Sequence, residues 1–151
     1  MTQVGQARES SLVLLEKVLY TAEAPTTSGR DGGASRTDDG RLDVKFTSPG
    51  AQAPAATPNI CSLAVRQPAS YLSAIKIVAG KNKVTLPADV AIDVEVDLGI
   101  SHAVHGLAAR LNVSLPGLER KVAQELVGGA HQICPYSRAT HGNIDVALNV
   151  V

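Results

Sequence analysis

Few side chains in this chain can do chemistry. The two cysteines, Cys61 and Cys134, are its soft nucleophiles, and a thiolate can attack a peroxide or a disulfide and cycle through a sulfenic acid. They are too few and too far apart for a zinc site or the disulfide framework of a small secreted domain. His102 and His105 stand close together at a strand end, where they could supply an acid or base, or half of a metal site. No third ligand stands beside them at a recognisable spacing, so no metal is expected. His131 sits in the run AHQIC just ahead of Cys134, and it reads as a hydrogen-bonded structural histidine before an acid or base.

These groups need a frame, and composition bounds it. The 151 residues are 44% apolar, with 14 basic side chains against 14 acidic ones, which describes one ordinary domain. Residues 1–12 read as a polar lead and 13–151 as the domain. Balanced charge without a Lys/Arg block offers no field for nucleic acid or an anionic membrane. There is no apolar run near the roughly 20 residues of a membrane span, and the first residues lack the order of a secretory signal, so a cytoplasmic protein is expected. Aromatics make up 3%. Val, Leu, Ile and Ala must therefore fill the core, and a short chain of small apolar side chains often finds further burial in a subunit interface.

Periodicity then places the elements. Leu12 to Tyr20 is apolar enough for a strand, and 26–33 (TTSGRDGG) is turn chemistry. Leu42, Val44 and Phe46 alternate with Asp43 and Lys45, as in a half-buried strand, and 48–58 reads as a surface loop. Residues 58–79 read as a buried helix, with Leu63, Tyr71, Ile75 and Val78 among its apolar positions and Arg66 and Lys76 its charges. Pro68 should bend or restart it, since an interior proline costs about 3 kcal/mol. Two alternating runs, Val90 to Leu98 and Leu107 to Leu115, predict an antiparallel pair joined by a loop carrying His102 and His105. After Pro116 and Gly117 comes an amphipathic helix with the stripe Leu118, Val122, Leu126, Ala130 and Ile133, ended by Pro135. Ile144, Val146, Leu148 and Val150 predict a last strand. The order lacks regular βαβ alternation, which argues for an α+β fold.

Several stretches carry a family resemblance: LEKVLYTAEA (15–24) with GRDG (29–32), LDVKF (42–46), LSAIKIVAG (72–80), VSLPG (113–117) and AHQICPYSRATHGNIDV (130–146). On these the chain resembles the organic hydroperoxide resistance proteins, the Ohr branch of the Ohr/OsmC family. The resemblance implies an OsmC/Ohr-like fold, an intertwined homodimer whose sheets wrap two central helices, with sites at the subunit interface. It also implies reduction of organic hydroperoxides by a peroxidatic cysteine, held ready by an arginine and a glutamate, with a resolving cysteine in the CPYS segment and dihydrolipoyl groups as reductant. Cys134 matches the resolving cysteine and Arg30 the arginine. Counted back without gaps from LSAIKIVAG, the peroxidatic position is Ser70 and the glutamate position Ile60. The helix start has become PNICSLAVRQPAS.

Those departures change the chemistry. A serine hydroxyl neither ionises near neutral pH nor takes up an oxygen, so the family mechanism is lost at Ser70. Cys61 precedes Ser70 by nine residues, which at about 100° each puts it roughly on the opposite helix face. A kink at Pro68 could swing it round; without one, Cys61 reads as a small buried apolar side chain. Cys134, at a helix C-terminus, is a poor unassisted nucleophile, and it reads as an inherited pocket-lining thiol. Arg30 keeps its glycine-flanked turn but loses its family partners. Either it finds an anion, from a ligand or from Asp31, Asp38 or Asp39, because an unpaired buried charge is costly, or it stands exposed on the hairpin.

The expectation is a repurposed Ohr-fold homodimer without redox chemistry or cofactor. It binds, and perhaps transforms, a hydrophobic organic acid in a pocket lined by Ile60, Gln67 and Tyr71. Arg30 anchors the anion, Ser70 donates a hydrogen bond, and His102, His105 or His131 serves as acid or base. The alternatives are a thiol peroxidase using Cys61 and Cys134, which requires their Cα atoms within about 7 Å, and a non-catalytic regulatory relic.

Overall fold

The computed structural model describes residues 12, 14–29, 32–46 and 63–151, with the backbone alone for 63–66. Six strands and three helices follow in the order β1 (Lys17–Thr27), β2 (Ala34–Arg36), β3 (Asp43–Lys45), α1 (Leu63–Lys81), β4 (Ala91–Ser101), β5 (Val104–Ser114), α2 (Arg120–Ile133), α3 (Pro135–Thr140) and β6 (Asp145–Val150). All strands join one sheet in the order β3-β2-β1-β4-β5-β6. Every pairing is antiparallel except β5 with β6. A parallel pair needs a crossover connection, and α2 with α3 supplies it.

The fold is α+β, as expected, with differences in detail. β1 begins five residues after Leu12 and runs on through Ala22, Ala24 and Thr26, of which Ala24 and Thr26 are fully buried. Small side chains keep the period of two where helix α1 lies close above the sheet. Leu19 is the extra residue of a bulge, since Val18 pairs with Gly99 and Tyr20 already with Leu98. The predicted loop at 48–58 and the start of the predicted helix lie outside the described residues.

Helix α1 continues through Pro68 as one element, so the helix does not restart there. The proline falls in the second turn, so it removes only the bond to the carbonyl four residues earlier. In α2 the buried residues are Ala123, Leu126, Val127 and Ala130, while Ile133 is exposed. That face is displaced from the predicted stripe because α2 rests on both α1 and β6. Pro135 ends α2 but also opens α3 at its first position, where its missing N–H costs nothing.

The core lies between the sheet and the helices. Tyr71, Leu72 and Ile75 of α1 meet Ile92, Val94, Leu111 and Val113 of the central strands, all fully buried. Toward the other end of the same sheet face the cover stops. Tyr20, Leu98 and Leu107 stand side by side in register and are 54%, 39% and 38% exposed.

The opposite sheet face carries a polar network. Arg110 grips Asp97 through both terminal nitrogens, at 2.5 and 3.0 Å, and Glu95 through Nε and Nη2, at 2.9 and 2.7 Å. Thr21 donates to Asp97 at 2.5 Å and Asn112 to Glu95 at 3.1 Å. The Arg110 guanidinium holds the Asp97 carboxyl below the usual carboxylate range, against the opposing effect of burial.

Between β4 and β5 the hairpin has a two-residue turn, His102 and Ala103, with φ of 48° and 63°. Both residues are left-handed, as a type I′ turn demands. His105 is therefore not a loop residue. It lies inside β5, paired with Ile100.

Candidate functional site

Helix α1 is buried along the stretch from Gln67 to Ile75, and this fixes what it can present. Gln67 and Ser70, three residues apart, share a face, and Tyr71 lies beside them. Cys134 arrives from the α2–α3 junction, where it is both the last cap of α2 and the first of α3. Its thiol, fully buried, donates to Ser70 Oγ across 3.7 Å. Tyr71 Oη donates to the Val127 carbonyl at 2.5 Å and so ties α1 to α2. Burial, with Cys134 adding to it, pushes the Tyr71 phenol well above its ordinary value.

Gln67 is fully buried, and neither its Nε2 nor its Oε1 has a hydrogen-bond partner among the described residues. An unsatisfied buried amide is costly, so this is the polar group on the helix most ready to accept a guest.

The glycine-rich turn after β1 is fastened to the same helix. Lys76 Nζ donates to the Ser28 carbonyl at 2.6 Å, and a Cβ at Gly29, whose φ is +73°, would stand 3.0 Å from Ser73 Oγ. Gly29 thus backs onto α1 one turn beyond Ser70. Arg30 itself, with Asp31, lies outside the described residues, and so do Ile60 and Cys61.

The histidines do not converge on this centre. His102, at the exposed tip of the β4–β5 turn, faces Glu16 at 3.4 Å and Ser101 at 3.0 Å. His105 is exposed on β5. His131 lines a cleft on the outer side of the α2–α3 corner, whose lining does not include Gln67, Ser70, Tyr71 or Cys134. No cluster of three metal-ligating side chains occurs among the described residues. No helix among them is long and apolar enough to cross a membrane.

A mixed sheet backed by a buried helix, with a cysteine at the crossover corner facing that helix, defines the OsmC-like class of folds. Within it the chain belongs to the organic hydroperoxide resistance protein family. It is 41% identical over 139 residues to the organic hydroperoxide resistance protein of Xanthomonas axonopodis pv. citri, covering 89% of this chain and 96% of that protein. Among solved structures, OhrB of Bacillus subtilis matches with a TM-score of 0.55 at 31% identity, over 87% of this chain and 98% of that one. An organic hydroperoxide resistance protein from Elizabethkingia anophelis, with crystallant-derived thiocyanate bound, matches with a TM-score of 0.54 at 35% identity, over 87% and 96%. No protein-family model matches the chain.

Sequence reasoning joined Ser70 to Cys134 through the family pattern and placed Gln67 and Tyr71 beside them. Sequence reasoning did not anticipate α3, because Pro135 reads as a stop as readily as a start.

Proposed function

We propose that this protein keeps the Ohr/OsmC frame but not its thiol-peroxidase chemistry, and that it binds a hydrophobic organic acid at the buried end of α1. The observation that carries the reading is the 3.7 Å contact between Cys134 Sγ and Ser70 Oγ. In this reading the thiol that matches the family's resolving cysteine faces an alcohol where the reaction needs a second sulfur. An alcohol oxygen cannot be oxidised to the sulfenic acid that a resolving thiol attacks.

The binding role has its own support. Gln67 offers an unused donor and acceptor on the Ser70 side of α1, and the Ser70 hydroxyl lies within reach of the same guest. In this reading Arg30 neutralises the acid's charge, and the apolar residues around Tyr71 and Ile60 take its carbon chain. The homodimer belongs to the proposal too. The row Tyr20, Leu98 and Leu107 continues the core face of the sheet beyond its helix cover, and a second copy would complete that core. A cytoplasmic location completes the reading.

Consumption of an organic hydroperoxide with dihydrolipoamide as reductant tests it, run beside Cys61→Ser and Cys134→Ser variants and an active family member. The proposal expects turnover no faster than free thiol. Turnover that disappears in either variant overturns it and shows that Cys61 and Cys134 have taken over the chemistry. A fatty acid that raises the melting temperature of the parent but not of Gln67→Leu supports the binding role, and equal shifts in both proteins count against it.

A further inference from the structure

Outside the α1 centre, the corner between α2, α3 and the head of β6 holds a cleft. One lobe, of about 250 Å³, is lined by His131, Ser137, Thr140, His141, Ile144 and Asp145 among others. A second lobe, of about 290 Å³, shares His131, Ser137 and His141 and adds Gln132 and Arg138.

Two residues that line these lobes each hold a buried, unsatisfied polar atom. His131 Nδ1 and Ser137 Oγ have no hydrogen-bond partner among the described residues, although Ser137 is only 2% exposed. Leaving such groups unpaired in a packed corner is costly, and the neighbouring hydroxyl shows the contrast. Thr140 Oγ1 already donates back to the Tyr136 carbonyl at 2.9 Å, the usual use of a helix hydroxyl. Ser137 makes no such bond and remains available.

The lining decides the ligand. Among the described residues the second lobe holds two imidazoles, a hydroxyl, a carboxamide and a guanidinium, and no carboxylate. Arg138 makes no ion pair among the described residues. Asp145 lines only the first lobe, so an anion belongs on the Arg138 side. A metal ion is disfavoured, because no three ligating side chains converge among the described residues. We infer that this cleft binds a small oxyanion, a carboxylate or phosphate group, held by Ser137 Oγ, His131 and the Arg138 guanidinium. Arginine's planar fork suits either oxyanion. The inference is independent of the function proposed above, since no residue of the Ser70 and Cys134 centre takes part.

The test follows the imidazole nitrogens of the full-length, ¹⁵N-labelled chain by NMR. Inorganic phosphate and acetate are titrated separately at constant ionic strength. The expected result is a saturable shift at His131 with at least one of them, and none at the turn residue His102. Arg138→Gln and Ser137→Ala should each weaken that binding about tenfold, the usual scale for one hydrogen bond to a charged group. Saturation by phosphate alone identifies a phosphate site, and saturation by acetate identifies a carboxylate site. Linear shifts with both anions, or affinities unchanged in Arg138→Gln, overturn the inference. Arg138 is exposed, so that variant folds whatever becomes of Ser137→Ala.

Discussion

Ser70 and Cys134 are 64 residues apart in the chain and 3.7 Å apart in space, hydroxyl against thiol, at the point where the α2–α3 junction meets α1. The contact follows from packing. Cys134 ends one helix and begins the next, so its direction is set at both ends, and Ser70 lies on a helix whose neighbouring residues are buried.

Replacing Ser70 by cysteine should therefore recreate a cysteine pair. A side-chain separation of 3.7 Å needs only a small adjustment to reach the roughly 2 Å of a disulfide. In a Cys61→Ser background, mild oxidation of Ser70→Cys is expected to consume both thiols, as counted by thiol titration and by mass. Two thiols persisting after oxidation would mean that positions 70 and 134 do not come within bonding reach.

Tyr71 should titrate late. Its folded value lies above the ordinary one near 10. The stability it contributes is thus complete below about pH 10 and is lost as pH rises further. Absorbance of the phenolate should show a late tyrosine that Tyr71→Phe removes. That variant should lose about 1 kcal/mol in denaturant unfolding, the usual worth of one hydrogen bond.

The Arg110 network predicts the opposite pH limb. Asp97 is held below its ordinary value, so its contribution is present above about pH 4 and fades as pH falls toward the lowered value. Asp97→Asn should cost about 2 kcal/mol at neutral pH, since it weakens charged hydrogen bonds at a buried position. The gap from the parent should narrow in acid. A gap of constant size from pH 7 to pH 3 would remove Asp97 as the titrating group.

One substitution should stabilise. Ala103 holds a left-handed φ of 63°, which costs an ordinary residue about 1 kcal/mol. Ala103→Gly relieves that strain and gives the turn its preferred glycine, so the melting temperature should rise by a few degrees. A fall would mean that glycine's extra freedom in the unfolded chain outweighs the relief.

Much of the fold was legible because long alternating runs admit few readings. β4, β5 and β6 follow directly from residues such as Val94, Leu111 and Leu148. Short elements were not legible. β2 has three residues, too few for a period, and α3 hides behind a proline that serves equally as stop and start. β1 was placed too early because exposed Leu14, Val18 and Leu19 look like core, whereas Ala24 and Thr26, which are core, look like surface. At the α1 centre, the pairing of Ser70 with Cys134 could be read from family spacing. The unsatisfied amide of Gln67 could not, because orphaned polar atoms depend on three-dimensional neighbours and carry no one-dimensional signature.

The parallel strand β6 carries a consequence for how the chain is made. Its partner β5 spans Val104–Ser114, and its own residues are 145–150. During synthesis β5 can zip onto β4 as soon as the tight turn at His102 forms. Its other edge then stays open until both crossover helices and β6 have left the ribosome. For that interval the nascent chain displays a row of unpaired backbone groups beside Leu111 and Val113, the kind of edge that recruits stray strands. Slow translation between residues 115 and 144 would lengthen the exposure, and β6 ends it by pairing along β5 and becoming the edge strand itself.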